Sequence, residues 1–141
     1  MKTPLASGAL PSLTHLRLLG RLARCATVDP YRPLLAQIVV TRRCNLACGY
    51  CYEHDPKAAP VPLETLRERL EHLRRLRCVF VTLNGGEPLL HPDGVLLATL
   101  IRRLKMTPMM NTNGLLLTPS LIDALSEAGL FGMQVSLDNL S

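Results

Sequence analysis

Three of the chain's five cysteines fall within eight residues, as Cys44-x3-Cys48-x2-Cys51. The thiolate is the metal-binding form of cysteine, and three of them on one short loop suit a single soft metal centre. With three protein ligands, an iron–sulfur cluster keeps one iron open to a small molecule. Gly49 lets the loop curl. A structural zinc site is the alternative, with His54 as fourth ligand, although zinc favours paired Cys knuckles set far apart in sequence. Buried thiols without metal are a third reading. The second cluster is Asn84-Gly85-Gly86-Glu87-Pro88. Two glycines at a strand end expose backbone groups and let a ligand approach closely. An ordinary Gly-Gly turn before a proline-bounded loop has the same letters. Other candidates read as structural: Cys25 and Cys78 lie outside the cluster, and Cys78 precedes an apolar run. His15 and His72 sit on helical segments and read as solvated, and Met106, Met109 and Met110 read as packing.

These loops need elements to hold them. Leu34 to Val40 is almost wholly apolar, reads as a strand buried on both faces, and delivers the chain to the cysteines. Pro62 to Arg77 is helical, with Leu63, Leu66, Leu70, Leu73 and Leu76 on one face. Val79 to Leu83 is a second strand, stopping at Asn84. Pro92 to Lys105 reads as a helix with Pro92 in its first turn and His91 as cap. Met106 to Met110 is a third strand, ending in Asn111-Thr112-Asn113-Gly114. Thr118 caps the next helix, Pro119 takes its first position and Gly129 stops it. Phe131 to Leu137 is the last strand. Strand and helix alternating at about 25 to 45 residues per unit means parallel strands with right-handed crossovers, here about four βα units. Ligand sites in such folds lie at the carboxyl ends of the strands. Every unusual motif falls at such an end.

Length and composition bound this scaffold. The chain has 141 residues, 48% hydrophobic, 19% charged and 4% aromatic, which is one globular domain's worth. A complete eight-unit barrel takes about 250 residues and does not fit. No apolar run approaches the roughly 18 residues of a membrane span. The net charge of +5 is local, because residues 1–43 carry seven Lys/Arg and one acid. Residues 1–33 therefore read as a basic N-terminal helix and linker, and 34–141 as the core domain. In the helix, Leu13 to Arg24, Arg17, Arg21 and Arg24 lie between the apolar positions. It either covers one end of the core or makes a peripheral contact with an anionic membrane through residues 11–24. With three Tyr, two Phe and no Trp, nucleic acid is not an expected partner. The first ten residues lack an export pattern, so the expected compartment is the reducing cytoplasm.

Together these motifs resemble the radical S-adenosylmethionine (radical SAM) enzymes. The likeness rests on Cys-x3-Cys-x2-Cys after a first strand, Tyr50 just before the third Cys, the flanking Thr41-Arg42-Arg43-Cys44-Asn45-Leu46, and Gly-Gly-Glu-Pro one βα unit later. It implies a 4Fe–4S cluster on Cys44, Cys48 and Cys51. It implies S-adenosylmethionine held at Tyr50, Gly85, Gly86 and Glu87, the Gly-Gly-Glu-Pro segment taking the methionine amino group. Asn113, Ser136 and Asp138 correspond to positions that reach the cofactor's ribose or carboxylate. The implied reaction is reductive cleavage to methionine and a 5′-deoxyadenosyl radical, with flavodoxin or ferredoxin as electron donor. Replacing Glu87 or Gly86 is then expected to weaken cofactor binding while sparing the cluster.

The implied fold is a partial parallel (βα) barrel of the TIM-like type, of which the sequence supplies a truncated part. A glycine-rich motif on a later strand of the family has no counterpart here. The chain is thus expected to be an N-terminal portion, poor in turnover alone, with an apolar unpaired last strand that a C-terminal partner chain completes. A non-catalytic binding module stabilised by zinc or iron–sulfur is the other functional class. The lead-in from Pro33 to Val40 and the basic helix are also similar to members acting on polyprenoid or hopanoid lipids.

Overall fold

The computed structural model describes residues 13–28, 31–52 and 54–137. Contacts divide the chain into Met1–Arg32 and Pro33–Ser141. The first unit contains α1 (Leu13–Thr27), three residues longer than its apolar period because no breaker precedes Asp29. Arg32 ties the following turn back to this helix. Its Nε donates to Cys25 Sγ at 2.8 Å, and Nη2 donates to the Arg21 carbonyl at 3.0 Å. No described helix is long and apolar enough to cross a membrane.

The second unit is an α/β sheet with strands β1 (Leu35–Thr41), β2 (Phe80–Gly85), β3 (Thr107–Thr112) and β4 (Gly132–Val135). They are parallel and lie side by side in sequence order. Helices α2 (Leu63–Arg75), α3 (Gly94–Arg103) and α4 (Pro119–Glu127) connect them in turn. Leu66 and Leu70 of α2, Leu97 and Ile101 of α3 and Leu125 of α4 pack with Ile38, Val40, Val81, Leu83 and Met110 of the strands. Alternate strand residues therefore face the helices, as a period of two requires.

The opposite face explains a correction to the sequence reading. β1 is not buried on both sides, because Leu35 and Gln37 are exposed. The residues in register on that face include Gln37, Thr82, Met109, Asn84, Asn111 and Gln134, none of them ionisable. Asn84 Nδ2 donates to Gln37 Oε1 at 3.3 Å across it.

Other boundaries differ as well, and β3 runs on through Asn111 and Thr112, which the sequence assigns to the tip beyond it. The helix expected from Pro92 begins at Gly94, and Asp93 at its N-cap makes no side-chain capping bond. His91 is instead buried and serves as a strap. Its Nδ1 accepts from Asp93 N–H at 3.1 Å, so Nε2 carries the proton and donates to the Val61 carbonyl at 2.9 Å. The last strand is four residues rather than Phe131 to Leu137, with half-exposed Phe131 just before it.

The remaining punctuation agrees with the sequence. Thr118 Oγ1 accepts from Leu121 N–H at 3.2 Å, Pro119 opens α4, and Gly129 leaves it at φ +87°. Thr118→Ala removes that acceptor and is expected to cost about 1 kcal/mol. The thermal midpoint should fall by about 4 °C in a calorimetric scan. Cys78 and Met110 are buried, Met106 nearly so, and His72 is exposed. The His15 side chain lies outside the described residues.

Candidate functional site

The thiol loop leaves the sheet through an irregularity in β1. Val39 pairs with Asn84, but Thr41 rather than Val40 pairs with Gly85, so one extra residue is accommodated. A bulge of this kind bends a strand and re-aims the chain beyond it. Past the bulge, Gly86 N–H donates to the Thr41 carbonyl at 2.9 Å and Glu87 N–H to the Arg43 carbonyl at 2.8 Å. The β2 tip thus stays hydrogen-bonded to the chain that enters the cysteine loop.

The two glycines are required by this contact. Gly85 has φ +143°, and a Cβ there would run into the Thr41 carbonyl oxygen. At Gly86 a Cβ would strike the Arg43 carbonyl oxygen and lie 2.7 Å from that of Arg42. The close approach that the sequence assigns to a ligand is met, at these two Cβ positions, by the protein's own backbone.

The far end of the loop is fastened as well. Asp55 N–H donates to the Arg42 carbonyl at 2.9 Å, and Val61 N–H to the Val40 carbonyl at 2.9 Å. His91 then holds the Val61 carbonyl from the other side. Between these anchors Cys44 and Cys48 are half-buried free thiols, and Cys51 is an exposed one. Cys51 N–H donates to the Cys48 carbonyl at 3.0 Å. Among the described residues no three Cys, His, Asp or Glu side chains are gathered closely enough to hold a metal ion. His54 is not brought into such a group either. The donor set nevertheless suits a soft metal centre, since it is three thiols on one tethered, solvent-accessible segment.

Glu87 is the hub between tips. Its side chain is fully buried. Oε1 accepts from Thr112 Oγ1 at 2.7 Å and from Leu89 N–H at 3.0 Å, while Oε2 accepts from Asn113 N–H at 2.8 Å. Thr112 Oγ1 also accepts from Gly114 N–H at 3.0 Å. Asn113 extends the chain of contacts, its Nδ2 donating to Asn45 Oδ1 at 2.7 Å and approaching Cys44 Sγ at 3.7 Å. Glu87, Asn113 and Cys44, read from separate motifs, therefore belong to one network. Thr112 and Asn45 were legible only as motif letters; their short polar side chains at strand tips were the available signal.

The remaining expected residues lie nearby in sequence or outside view. Tyr50 is 64% exposed on the cysteine loop. Ser136 is exposed just past β4, where its N–H donates to the Thr112 carbonyl at 2.9 Å. Asp138 lies outside the described residues.

A parallel sheet whose adjoining tips carry a tethered thiol loop and a buried carboxylate hub defines an α/β protein whose candidate site lies at the strand carboxyl ends. Comparison with known proteins gives the family. The model of the radical SAM superfamily matches residues 38–141, and the chain belongs to that superfamily. The PqqA peptide cyclase of Gluconobacter oxydans is 36% identical over 116 residues, 80% of this chain and 32% of that protein. A GTP 3',8-cyclase of Chlorobaculum tepidum is 38% identical over 136 residues, 92% of this chain and 38% of its own length. Streptococcus suis SuiB bound to precursor peptide SuiA superposes with a TM-score of 0.67 at 21% identity, over 100% of this chain and 34% of that one. BtrN in complex with AdoMet and 2-DOIA gives 0.66 at 23% identity, over 73% and 45%. These two structures share the fold. The chain spans about a third of the length of the two curated relatives.

Proposed function

We propose that Cys44, Cys48 and Cys51 hold a 4Fe–4S cluster and that S-adenosylmethionine binds beside it, at the carboxyl ends of the strands. The observation that carries this reading is the direct bonding of the Gly85-Gly86-Glu87 tip to the segment entering the thiol loop, through the Thr41 and Arg43 carbonyls. A bound cluster of this type supplies the single electron that splits the sulfonium of S-adenosylmethionine into methionine and a 5′-deoxyadenosyl radical.

The chain's own residues divide the work of holding these groups. The bulge at the end of β1, the Asp55 and Val61 backbone bonds and the His91 strap hold the two ends of the thiol loop, leaving the segment between them to gather its sulfurs around metal. Glu87 fixes the β2 and β3 tips relative to each other, so that the backbone of the glycine pair meets the methionine amino group. Tyr50, Asn113, Ser136 and Asp138 complete the cofactor's surroundings. Flavodoxin or ferredoxin is the electron donor, and a peptide, a nucleotide or another small molecule is the substrate.

Anaerobic reconstitution tests this. About four irons and four sulfides per chain are expected, with broad visible absorption. Cys44→Ala, Cys48→Ala and Cys51→Ala should each abolish that absorption, whereas Cys25→Ala and Cys78→Ala should keep it. Added S-adenosylmethionine should perturb the reduced cluster's spin resonance. One zinc per chain, or an intact cluster in Cys48→Ala, would refute the proposal in favour of a metal-stabilised binding module.

A further inference from the structure

Asn113 sits at the β3 tip, and its side-chain amide is oriented by a contact of its own. Oδ1 accepts from Leu115 N–H at 3.0 Å, which turns Nδ2 toward the thiol loop. There Nδ2 donates to Asn45 Oδ1 at 2.7 Å and reaches Cys44 Sγ at 3.7 Å. Leu46 N–H also points at that sulfur, at 3.4 Å. The Asn113 backbone N–H is held by the buried Glu87 carboxylate at 2.8 Å. The amide donor is therefore fixed from two directions before any metal arrives. Among the described residues, Cys44 is the thiol of the three that has such a donor from another strand tip.

We propose that Asn113 is a positioning residue for the metal centre: its amide clasps the Cys44-Asn45 segment and donates a hydrogen bond to the Cys44 sulfur. This rests on the assignment of Cys44 as a cluster ligand. A donor onto a ligand sulfur stabilises the extra negative charge of the reduced state, and so raises the reduction potential. The clasp also keeps the first ligand in place, which favours metal retention. This task is separate from any contact with S-adenosylmethionine and is measurable without it.

The test uses the 141-residue chain, reconstituted anaerobically with iron and sulfide and kept free of S-adenosylmethionine. Asn113→Asp and Asn113→Ser both leave an oxygen that can accept from Leu115 N–H, so the local turn survives. Asp replaces the donor with an acceptor, and Ser is too short to reach the loop. Dithionite titration monitored by spin resonance should give both variants a more negative midpoint potential than the parent chain, Asp the more so. Iron loss to a chelator should be about ten- to a hundredfold faster. Parent-like potential and iron retention in both variants would overturn the assignment while leaving the cluster reading intact. Failure of either variant to fold, judged by circular dichroism, would overturn it too, by making Asn113 a fold determinant. A parent chain that takes up no iron–sulfur cluster would instead sink the functional reading, and this inference with it.

Discussion

Gly86→Val is expected to destabilise the core unit by about 3 kcal/mol or more and to impair cluster uptake together with cofactor binding. The first atom of the new side chain already meets the Arg43 carbonyl oxygen, with the Arg43 carbonyl carbon at 2.6 Å and the Arg42 carbonyl oxygen at 2.7 Å. These are backbone atoms, so no rotamer change relieves the contact. Something must move, and the segment that moves is the one leading into Cys44. Separation of the two tips would stretch or break the Gly86 bond to Thr41 and the Glu87 bond to Arg43. The valine methyls, fixed at χ1, add volume to the same narrow space. A fall in the thermal midpoint of about 10 °C is the corresponding readout. Gly86→Ala, carrying the clashing Cβ alone, should show most of the effect. The motif by itself suggests a different outcome, intact cluster with weakened S-adenosylmethionine binding. Iron content after reconstitution separates the two, and parent-like iron content and stability in both variants would show that the tips are not locked together.

The legibility of each feature in the sequence varied with the range of the interaction that fixes it. The leucine period of α2 and the apolar runs of β1, β2 and β4 are local patterns, and they appear where the sequence puts them within a few residues. Thr118-Pro119 and Gly129 are local too, since capping and left-handed backbone are decided within one turn. Pro92 and His91 misled because His91 is captured by Val61, thirty residues earlier in sequence, and the helix starts only after that contact. The exposed face of β1 was invisible for a related reason, since an apolar run does not say which of its faces is covered. At the site, the motif letters located the thiols, the glycine pair and Glu87. They did not disclose the Glu87 contacts to Thr112 and Asn113, because those join residues 25 and 26 positions apart.

Glu87→Gln, nearly the same shape, is expected to cost about 2 kcal/mol, and Glu87→Ala about 3 to 5 kcal/mol. The reason is the direction of the donors. All three groups bonded to the carboxylate donate to it: Leu89 N–H and Thr112 O–H at one oxygen, Asn113 N–H at the other. A glutamine amide has one accepting oxygen and one donating nitrogen. With its nitrogen at the Oε2 position it faces Asn113 N–H, and with the nitrogen at the Oε1 position it faces Leu89 N–H. Thr112 can adapt by rotating its hydroxyl, but a backbone N–H cannot. Either amide orientation leaves one donor unpaired in a place from which water is excluded, since Glu87 is fully buried. Alanine leaves all three donors unpaired. Thermal or denaturant unfolding of the metal-free chain reads the effect without interference from a cofactor. Thr112→Val should lose about 1 kcal/mol alone, and less than that once Glu87 is already Ala, because the two share a bond that alanine has removed. Additive losses in that cycle, or a Gln variant as stable as the parent, would show that Glu87 does not join the β2 and β3 tips through its carboxylate. With the coupling present, Glu87→Gln should also loosen the Asn113 backbone and its clasp on the Asn45 side chain, carrying a defect at the second strand to the first cysteine.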